Sequence, residues 1–404
     1  MEKAEKQILK GIYAITMLMF ALLSLSSGSF DYTVLLFGLA SCVLVGYGHF
    51  IIRHFFPEGD KFLIIIAAFL VQFGLIMLYR LTPSLAWKQL VWFAVSMGAY
   101  IIIVMFLPNV SRFGRFKYIY IIIAILMLAA TLLLGTEKKG SINWIIIGGF
   151  SMQPSEIAKL FLILYCASAL RKVESFKQVL IAAIPAFIAI GLLVIERDLG
   201  AALIFFGIFI TVLYVSSSRL VYVAIGTGGL GVMGVISYFL FSHVRVRVAI
   251  WKNPWKYSTG IGYQICQSLF AIAAGGLFGT GIGMGHPDKI PLAYSDLIFS
   301  AICEEMGILG ALAIIILYLL LVYRGLRTAM YTKNTYSRLV AVGISSMLFF
   351  QVFVIIGGST KMIPLTGITM PFVSYGGSSM LLNFASLGVL QKISETSGGN
   401  SNEE

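Results

Sequence analysis

Long apolar runs separated by short polar segments recur along the whole chain. Most of these runs are about 17 to 25 residues long, which lets a helix cross a hydrocarbon core of about 30 Å. We therefore predict twelve transmembrane helices, at residues 11–28, 33–52, 61–79, 88–107, 117–135, 155–170, 177–195, 199–216, 219–241, 297–323, 338–358 and 377–393. The expected fold class is an all-α polytopic membrane protein with a long external loop at about 242–296.

Composition agrees with this pattern. The chain is 59% hydrophobic and 11% charged, whereas about a quarter of the residues in a soluble domain are charged. The first apolar run is expected to be retained rather than cleaved as a signal peptide, because a second span follows it closely and its removal would invert the charge pattern downstream. The four cysteines show no metal-ligand spacing, so neither a disulfide framework nor a zinc site is indicated.

Lysine and arginine accumulate in alternate short loops, which places both termini in the cytoplasm. The segment 242–296 is an exception, because it is predicted to be external and yet carries Arg245, Arg247, Lys252 and Lys289. A cationic external surface beside a bilayer suits an anionic, phosphate-bearing ligand. Attraction to anionic lipid headgroups is the alternative.

Three predicted external stretches, 135–159, 242–296 and 357–379, hold most of the polar residues that are not cytoplasmic anchors. Irregular backbone at membrane depth lines a cavity or is covered by protein, so we expect these stretches to converge. Asp296 lies where the second stretch re-enters an apolar helix. An ionisable group at that position is expensive, and it is therefore the main functional candidate.

Charged pairs in and near these stretches have two interpretations each. Glu156 and Lys159 are three residues apart and can pair on one helix face, either as a structural ion pair or in contact with substrate. Glu196, Arg197 and Asp198 either pair with one another or offer Arg197 to a phosphate, with Asp198 orienting it or a metal.

The other residues of these stretches complete the candidate substrate-binding set. Trp144 is either a substrate contact or an interfacial anchor. In the third stretch, prolines and glycines forbid a continuous helix, and the amides that open the last helix can meet an anion. The remaining candidates are Gln264, Ser268, Lys361, Ser374 and Ser378, and a purely structural turn is the alternative for any of those in the third stretch.

No nucleotide-binding motif is present. The glycines at 279, 281, 283 and 285 follow no strand and lack the dinucleotide-binding spacing, and there is no Walker motif. A reaction here must therefore draw its energy from an activated substrate or an ion gradient.

Several segments resemble the FtsW/RodA/SpoVE family of bacterial elongation, division and sporulation proteins. The resemblance rests on NW, QPSEIAKL, DLGAAL, GYQICQSLFAIAAGGLFGTGIGMG, SDLIFSAICEEMGILG and PLTGITMPFVSYGGSS. It covers about residues 61–393, which would be a ten-helix core. Residues 1–60 would then be two additional N-terminal helices, and residues 394–404 a disordered cytoplasmic tail.

The resemblance implies a peptidoglycan glycosyltransferase that polymerises lipid II at the outer face of the cytoplasmic membrane and releases undecaprenyl pyrophosphate. Asp296 would be the general base, and Arg245, Arg247, Lys252 and Lys289 would stabilise the leaving pyrophosphate. No cofactor is firmly indicated, although a divalent cation, Mg or Mn, bridging Asp296 and a phosphate is left open. The implied partners are lipid II, the nascent glycan strand and a class B penicillin-binding protein.

The chain departs from the family pattern at two places. Tyr294 and Ser295 stand where the family often has His-Thr, and Glu196-Arg197 replaces a common Gln-Pro. Glu304 and Glu305 match the family's Glu pair, and we expect them to make structural pairs with buried Lys or Arg.

Two other functions remain open on the sequence alone. A lipid II flippase would also use many helices and buried charges, although here the non-anchoring charges gather near one face. A scaffold without chemistry would make Asp296 dispensable. The motifs do not decide between the elongation, division and sporulation branches.

Overall fold

The described part of the molecule, residues 2–26, 30–138, 141–147 and 150–398 of a computed structural model, is almost entirely helical. Fourteen α-helices are present in these ranges: α1 Glu2–Ser26, α2 Tyr32–Phe55, α3 Phe62–Leu81, α4 Pro83–Phe106, α5 Lys117–Leu134, α6 Pro154–Ala169, α7 Phe176–Ile195, α8 Leu199–Ser217, α9 Leu220–Leu240, α10 Ser242–Lys252, α11 Tyr263–Gly275, α12 Ile298–Tyr331, α13 Thr335–Ser359 and α14 Gly377–Gly398. Short 3-10 helices cover Val110–Arg115, Pro254–Tyr257 and Pro287–Lys289.

Each of the twelve predicted spans coincides with one of these helices, so the polytopic α-helical class is confirmed. Ten of the described helices are long and apolar enough to cross a membrane. The other two predicted spans correspond to α6, which has only 16 residues, and α14. Among the described elements, α3, α8 and α13 are the most deeply buried spans. Helix α13 packs against α6, α8 and α12 and thus forms the centre of the bundle.

The predicted external loop is more structured than expected. Residues 242–296 include helices α10 and α11. Their 11 and 13 residues are too short to span a bilayer, and α10 is rich in charge, so neither gave a transmembrane signal. Helix α12 also continues to Tyr331, beyond the predicted end at 323.

A small antiparallel sheet, missed by the all-α prediction, follows α5. Its strands are β1 Thr136–Lys138, β2 Ser141–Ile147 and β3 Phe150–Met152, in the order β1-β2-β3. The run INWIII in β2 is apolar and rich in β-branched residues. Periodicity alone cannot distinguish so short an apolar run from a piece of buried helix.

The end of the chain also differs from expectation. Residues 394–398, expected to be disordered, form the last turn of α14, and residues 399–404 lie outside the described part. Glu395 accepts a hydrogen bond from the backbone amide of Gly59 at 2.8 Å and lies 3.4 Å from the ammonium of Lys61. These contacts join the C-terminal helix to the start of α3.

Helix α12 is broken at Gly307, where the backbone φ is +66°. The glycine-rich loop after α11 packs against this break, with Gly281 donating to the carbonyl of Glu305 at 3.1 Å and Ile308 donating to that of Gly276 at 3.0 Å. Loop and break approach so closely that a Cβ on Gly279 would lie 2.2 Å from the Glu305 carbonyl oxygen. Glycine is therefore required by contact as well as by conformation.

The expected structural role of the Glu pair is confirmed for one member. Glu305 Oε1 accepts from Arg80 Nε at 3.0 Å, and its Oε2 accepts from the Gly283 amide at 3.1 Å. Glu304 instead accepts from the backbone amide of His286 at 2.7 Å. Both carboxylates thus fix the glycine-rich loop, and Glu305 also ties it to α3.

Candidate active site

A cavity of about 1070 Å³ lies between α4, α10, α11, the small sheet and two irregular segments, 291–297 and 360–376. Five predicted site residues line it: Trp144, Arg247, Gln264, Asp296 and Lys361. The three predicted external stretches therefore converge on one cavity, as expected. The cavity is large enough for a sugar-sized ligand with its polar substituents.

Asp296, one residue before the N-cap of α12, is 5% exposed and faces this cavity. Its Oδ1 accepts from the hydroxyl of Ser295 at 2.8 Å. The hydroxyl of Ser295, at the position where the family often has a threonine, is therefore in contact with the carboxylate. The segment before Asp296 is joined to segment 360–376, because Ser374 Oγ donates to the Ser295 carbonyl at 2.6 Å and the Tyr375 amide donates to the Tyr294 carbonyl at 2.9 Å.

Arg247 is the one cation of α10 that lines the cavity. Its Nη1 donates to the carbonyls of Leu365 and Thr366, at 3.3 Å each. Burial lowers the pKa of Arg247, while the negative charges of Asp198 and Asp296 raise it. The guanidinium stays protonated at neutral pH, so it supplies fixed positive charge near Asp296.

Lys361 lies just after α13, in the left-handed backbone region with φ of +62°. Its carbonyl accepts from the indole Nε1 of Trp251 at 3.0 Å. Trp251 lies one turn after Arg247 on α10. Through these hydrogen bonds, both residues contact segment 360–376 near its start.

The small sheet forms the wall that carries Trp144. Asn143 on β2 and Gln153 after β3 both line the cavity, and their side-chain amides donate to Asp198 Oδ2 at 3.0 Å each. Asp198 Oδ1 accepts from the Ala201 amide at 2.9 Å. Asp198 is thus the N-cap of α8 and the anchor of the sheet, and it does not line the cavity itself.

The cluster at 196–198 is not a set of mutually paired charges. Glu196 is completely buried, and neither of its carboxylate oxygens has a hydrogen-bond partner among the described residues. Burial, and to a lesser degree the charge of Asp198, raises the pKa of Glu196 to about 8. Arg197 adopts φ of +64° and is not among the cavity-lining residues, so the interpretation in which it contacts a phosphate in the cavity is not supported.

Glu156 and Lys159 form the expected ion pair at 2.9 Å, and both are buried outside the cavity lining. Lys159 Nζ also donates to Gln351 Oε1 at 3.2 Å, and Gln351 Nε2 donates to the Thr369 carbonyl at 2.9 Å. Of the two interpretations, the structural one fits. The pair supports the cavity from behind through Gln351.

Other candidates also lie away from the cavity. Arg245, Lys252 and Lys289 are exposed and are absent from its lining. Ser268 is buried between the Ser300 hydroxyl at 2.6 Å and the Ser359 carbonyl at 2.8 Å. Ser374 also has a structural role, because its hydroxyl donates to the Ser295 carbonyl. Ser378 is half-buried and does not line the cavity.

Sequence reasoning missed several lining residues. These are Lys88 and Trp92 on α4, Asn143 and Gln153 at the sheet, Trp251 on α10, and Tyr294, Thr366, Thr369 and Tyr375 in the irregular segments. The one available signal was Lys88, a cation at the predicted boundary of an apolar helix, and that position is equally typical of an interfacial lysine.

The described residues contain no cluster of three or more His, Cys, Asp or Glu side chains that could hold a metal ion. An ion bridging Asp296 and a phosphate would take its other ligands from substrate and water. The divalent cation therefore stays a prediction.

The family model of the FtsW/RodA/SpoVE cell cycle proteins matches residues 60–398. The peptidoglycan glycosyltransferase RodA of Mycobacterium tuberculosis (strain ATCC 25618 / H37Rv) is 38% identical over 388 residues, which are 89% of this chain and 82% of that protein. Stage V sporulation protein E of Bacillus subtilis (strain 168) is 34% identical over 84% of this chain and 97% of that protein.

Solved structures show the same architecture. A chain of a peptidoglycan synthase complex, described for its coordination of polymerization and crosslinking, matches with a TM-score of 0.72 and 27% identity, over 84% of this chain and 98% of that one. The rod shape determining protein RodA of Thermus thermophilus matches with a TM-score of 0.64 and 26% identity, over 83% and 96% of the two chains.

Proposed function

The chain belongs to the FtsW/RodA/SpoVE family of cell cycle proteins, and on this premise we propose that it polymerises lipid II into peptidoglycan strands. It is a multi-pass membrane protein and a peptidoglycan glycosyltransferase, as its relatives are named. The observation that carries the proposal is one buried carboxylate, Asp296, facing a large cavity that also contains the cations Arg247 and Lys361.

Asp296 is the proposed general base. The 4-hydroxyl of the N-acetylglucosamine of lipid II attacks the anomeric carbon of the N-acetylmuramic acid at the reducing end of the growing strand. The new C–O bond forms as the bond from that carbon to the pyrophosphate oxygen breaks, and the configuration inverts. Asp296 accepts the hydroxyl proton, and undecaprenyl pyrophosphate leaves with the bonding electron pair.

Arg247 and Lys361 are the proposed partners of the leaving pyrophosphate. Charge develops on its bridging oxygen in the transition state, so fixed cations in a partly desolvated cavity stabilise that state more than the ground state. Arg245, Lys252 and Lys289 have no part in this proposal, because they lie outside the cavity. Trp144 and Gln264 are assigned to contacts with the sugar and peptide parts.

We also propose that the cavity faces the outside of the cell and that both termini are cytoplasmic. The distribution of lysine and arginine in the short loops supports this orientation. A class B penicillin-binding protein is the proposed partner, and the match to a chain of a peptidoglycan synthase complex supports it.

The test is polymerisation of labelled lipid II by the purified full chain, with the partner present and absent. Asp296→Asn removes the base while keeping size and hydrogen-bonding capacity, and we expect it to make no glycan strands. Asp288→Asn is the matched control, because Asp288 is an exposed acid outside the cavity lining.

Polymerisation by a well-folded Asp296→Asn variant would contradict the assigned base. If the unaltered chain makes no strands even with its partner, yet moves lipid II between the leaflets of liposomes, the glycosyltransferase proposal fails and a flippase takes its place.

A further inference from the structure

Segment 360–376 contributes much of the cavity wall. A different helix holds each of its two ends, and each of these helices presents a cation and a tryptophan one turn apart. Helix α10 provides Arg247 and Trp251, and helix α4 provides Lys88 and Trp92. All four residues line the cavity. Positions four apart lie on the same helix face, so each helix presents its pair to the same space.

The contacts at the start of the segment are made by α10. Arg247 donates to the carbonyls of Leu365 and Thr366, and Trp251 donates to that of Lys361. With Lys361 itself, this end of the cavity has two cations.

The contacts at the other end are made by α4. Gln89 Nε2 donates to the Ser374 carbonyl at 3.1 Å, and Gln89 Oε1 accepts from the Gly376 amide at 3.2 Å. Trp92 lies so close to Gly377 that a Cβ there would be 2.2 Å from its ring. Lys88, which precedes Gln89 and lies one turn before Trp92, lines the cavity.

Asp296 lies beside Gly367, a residue that is midway between the two ends in sequence. Its Oδ2 is 3.6 Å from the position that a Cβ on Gly367 would occupy, in the middle of the segment. The proposed base thus has a cationic group associated with each end of the segment beside it.

The ammonium of Lys88 is available to a ligand in the cavity. It is exposed to the cavity and makes no hydrogen bond or ion pair with any described residue. Gly376 and Gly377, at the N-terminus of α14, line the cavity at the same end, and a helix N-terminus favours negative charge. A cation with no polar partner among the described residues, in the same cavity as such a terminus, matches a phosphate-bearing ligand.

We propose that Lys88 binds the pyrophosphate of the acceptor lipid II, and that Arg247 and Lys361 bind that of the growing strand. This assignment rests on the proposed function, in which two pyrophosphate-bearing substrates must meet at Asp296. The leaving group gains charge in the transition state and needs the stronger stabilisation, which the end with two cations supplies. The acceptor pyrophosphate does not react, and one cation suffices to hold it.

The reaction to measure is extension of a preformed glycan strand that ends in undecaprenyl pyrophosphate, with labelled lipid II as the varied acceptor. Lys88→Met keeps side-chain length and helix propensity but removes the charge. We expect the lipid II concentration for half-maximal extension to rise about tenfold, the effect of losing one charge-assisted contact, while the maximal rate changes by less than about twofold. Lys88→Arg should restore most of the affinity.

Lys256→Met is the matched control, because Lys256 is an exposed cation outside the cavity lining. It should behave like the unaltered chain. Arg247→Met should instead lower the maximal rate, which separates the two ends of the cavity. Each reaction is run with and without anionic phospholipid, since a bulk lipid headgroup offers the same phosphate chemistry.

An unchanged half-saturating concentration in a folded Lys88→Met variant overturns the inference. So does a loss confined to the maximal rate, or an effect seen only with anionic phospholipid present. All three results leave the glycosyltransferase proposal intact if Asp296→Asn still abolishes extension. Absence of extension by the unaltered chain would instead count against the proposed function itself.

Discussion

Asp296 is positioned by backbone contacts of its neighbours rather than by the identity of their side chains. Tyr294 and Ser295 are each bound through their carbonyl oxygens, to the Tyr375 amide and the Ser374 hydroxyl. The imidazole often found in the family at position 294 is therefore not needed to fix the carboxylate. The Ser295 hydroxyl also donates to Asp296 and so acts through its side chain.

Glu196 makes the stability of the protein depend on pH. Its folded-state pKa of about 8 lies above the ordinary value of 4.5. Between these values the folded chain holds a proton that the unfolded chain has lost, so stability falls as pH rises, by at most about 1.4 kcal/mol per pH unit. Glu196→Gln, which cannot ionise, should flatten this dependence and be the more stable form near pH 8.

Thermal unfolding in detergent across this pH range measures the effect. Glu174→Gln is the control, because Glu174 is exposed and its replacement should leave the slope unchanged. Equal slopes for Glu196→Gln and the unaltered chain would show that the buried carboxyl does not control the dependence.

At the residue scale the sequence identified the main group of the site but not all of its neighbours. Asp296 was identifiable because an acid at the start of an apolar helix is unusual and costly. Lys88 was not, since a lysine at a helix boundary is also typical of interfacial anchoring. Asp198 matched the family motif, but only the coordinates show that its oxygens are occupied by Asn143, Gln153 and the α8 amide.

The glycine-rich loop that packs against the break in α12 requires glycine at position 279. Gly279 has φ of +84°, and the Glu305 carbonyl is 2.2 Å from its Cβ position. Gly279→Ala would combine a disfavoured backbone with a clash against main-chain atoms, and we expect a loss of about 2 to 4 kcal/mol. The variant should show a lower thermal midpoint.

Gly228→Ala is the matched control, because the corresponding Cβ on α9 meets nothing within 4 Å. It should be neutral or slightly stabilising, since alanine favours the helix. A Gly279→Ala variant as stable as Gly228→Ala would mean that the glycine-rich loop can move away from α12 without cost.

Elements with long apolar runs were predictable, and short elements were not. Ten of the twelve spans follow from hydrophobic length alone, which needs no knowledge of packing. The sheet and helices α10 and α11 depend on the cavity they enclose, because isolated strands of three to seven residues and single short helices are not stable by themselves. Their existence is a tertiary effect that local sequence does not record.

At the scale of the whole molecule, α1 and α2 form a separate layer. They pack on α3 and α4, and the cavity-lining residues all come from position 88 onward. Glu5 on α1 pairs with Arg53 on α2, so removing both helices removes both members of this ion pair. It also preserves the orientation of the remaining spans, because two crossings are lost together.

A chain that begins at residue 57 should therefore retain polymerisation of lipid II at a rate within a few-fold of the full chain. Its thermal midpoint should fall, because packing of α1 and α2 on α3 is lost and the contact of Ser26 with Gly283 disappears. Both quantities are measurable on the same preparation. Loss of activity at unchanged stability would show that the N-terminal helices take part in the reaction.

The placement of cations near both ends of segment 360–376 also has a consequence for inhibitor design. A molecule with an anionic group at each end, joined by a spacer that follows segment 360–376, would engage Lys88 and Arg247 at once. Binding of the second group would then be intramolecular, so its affinity would exceed that of either half without any new contact. Bivalent inhibitors of this kind would retain much of their strength against a change at either cation alone.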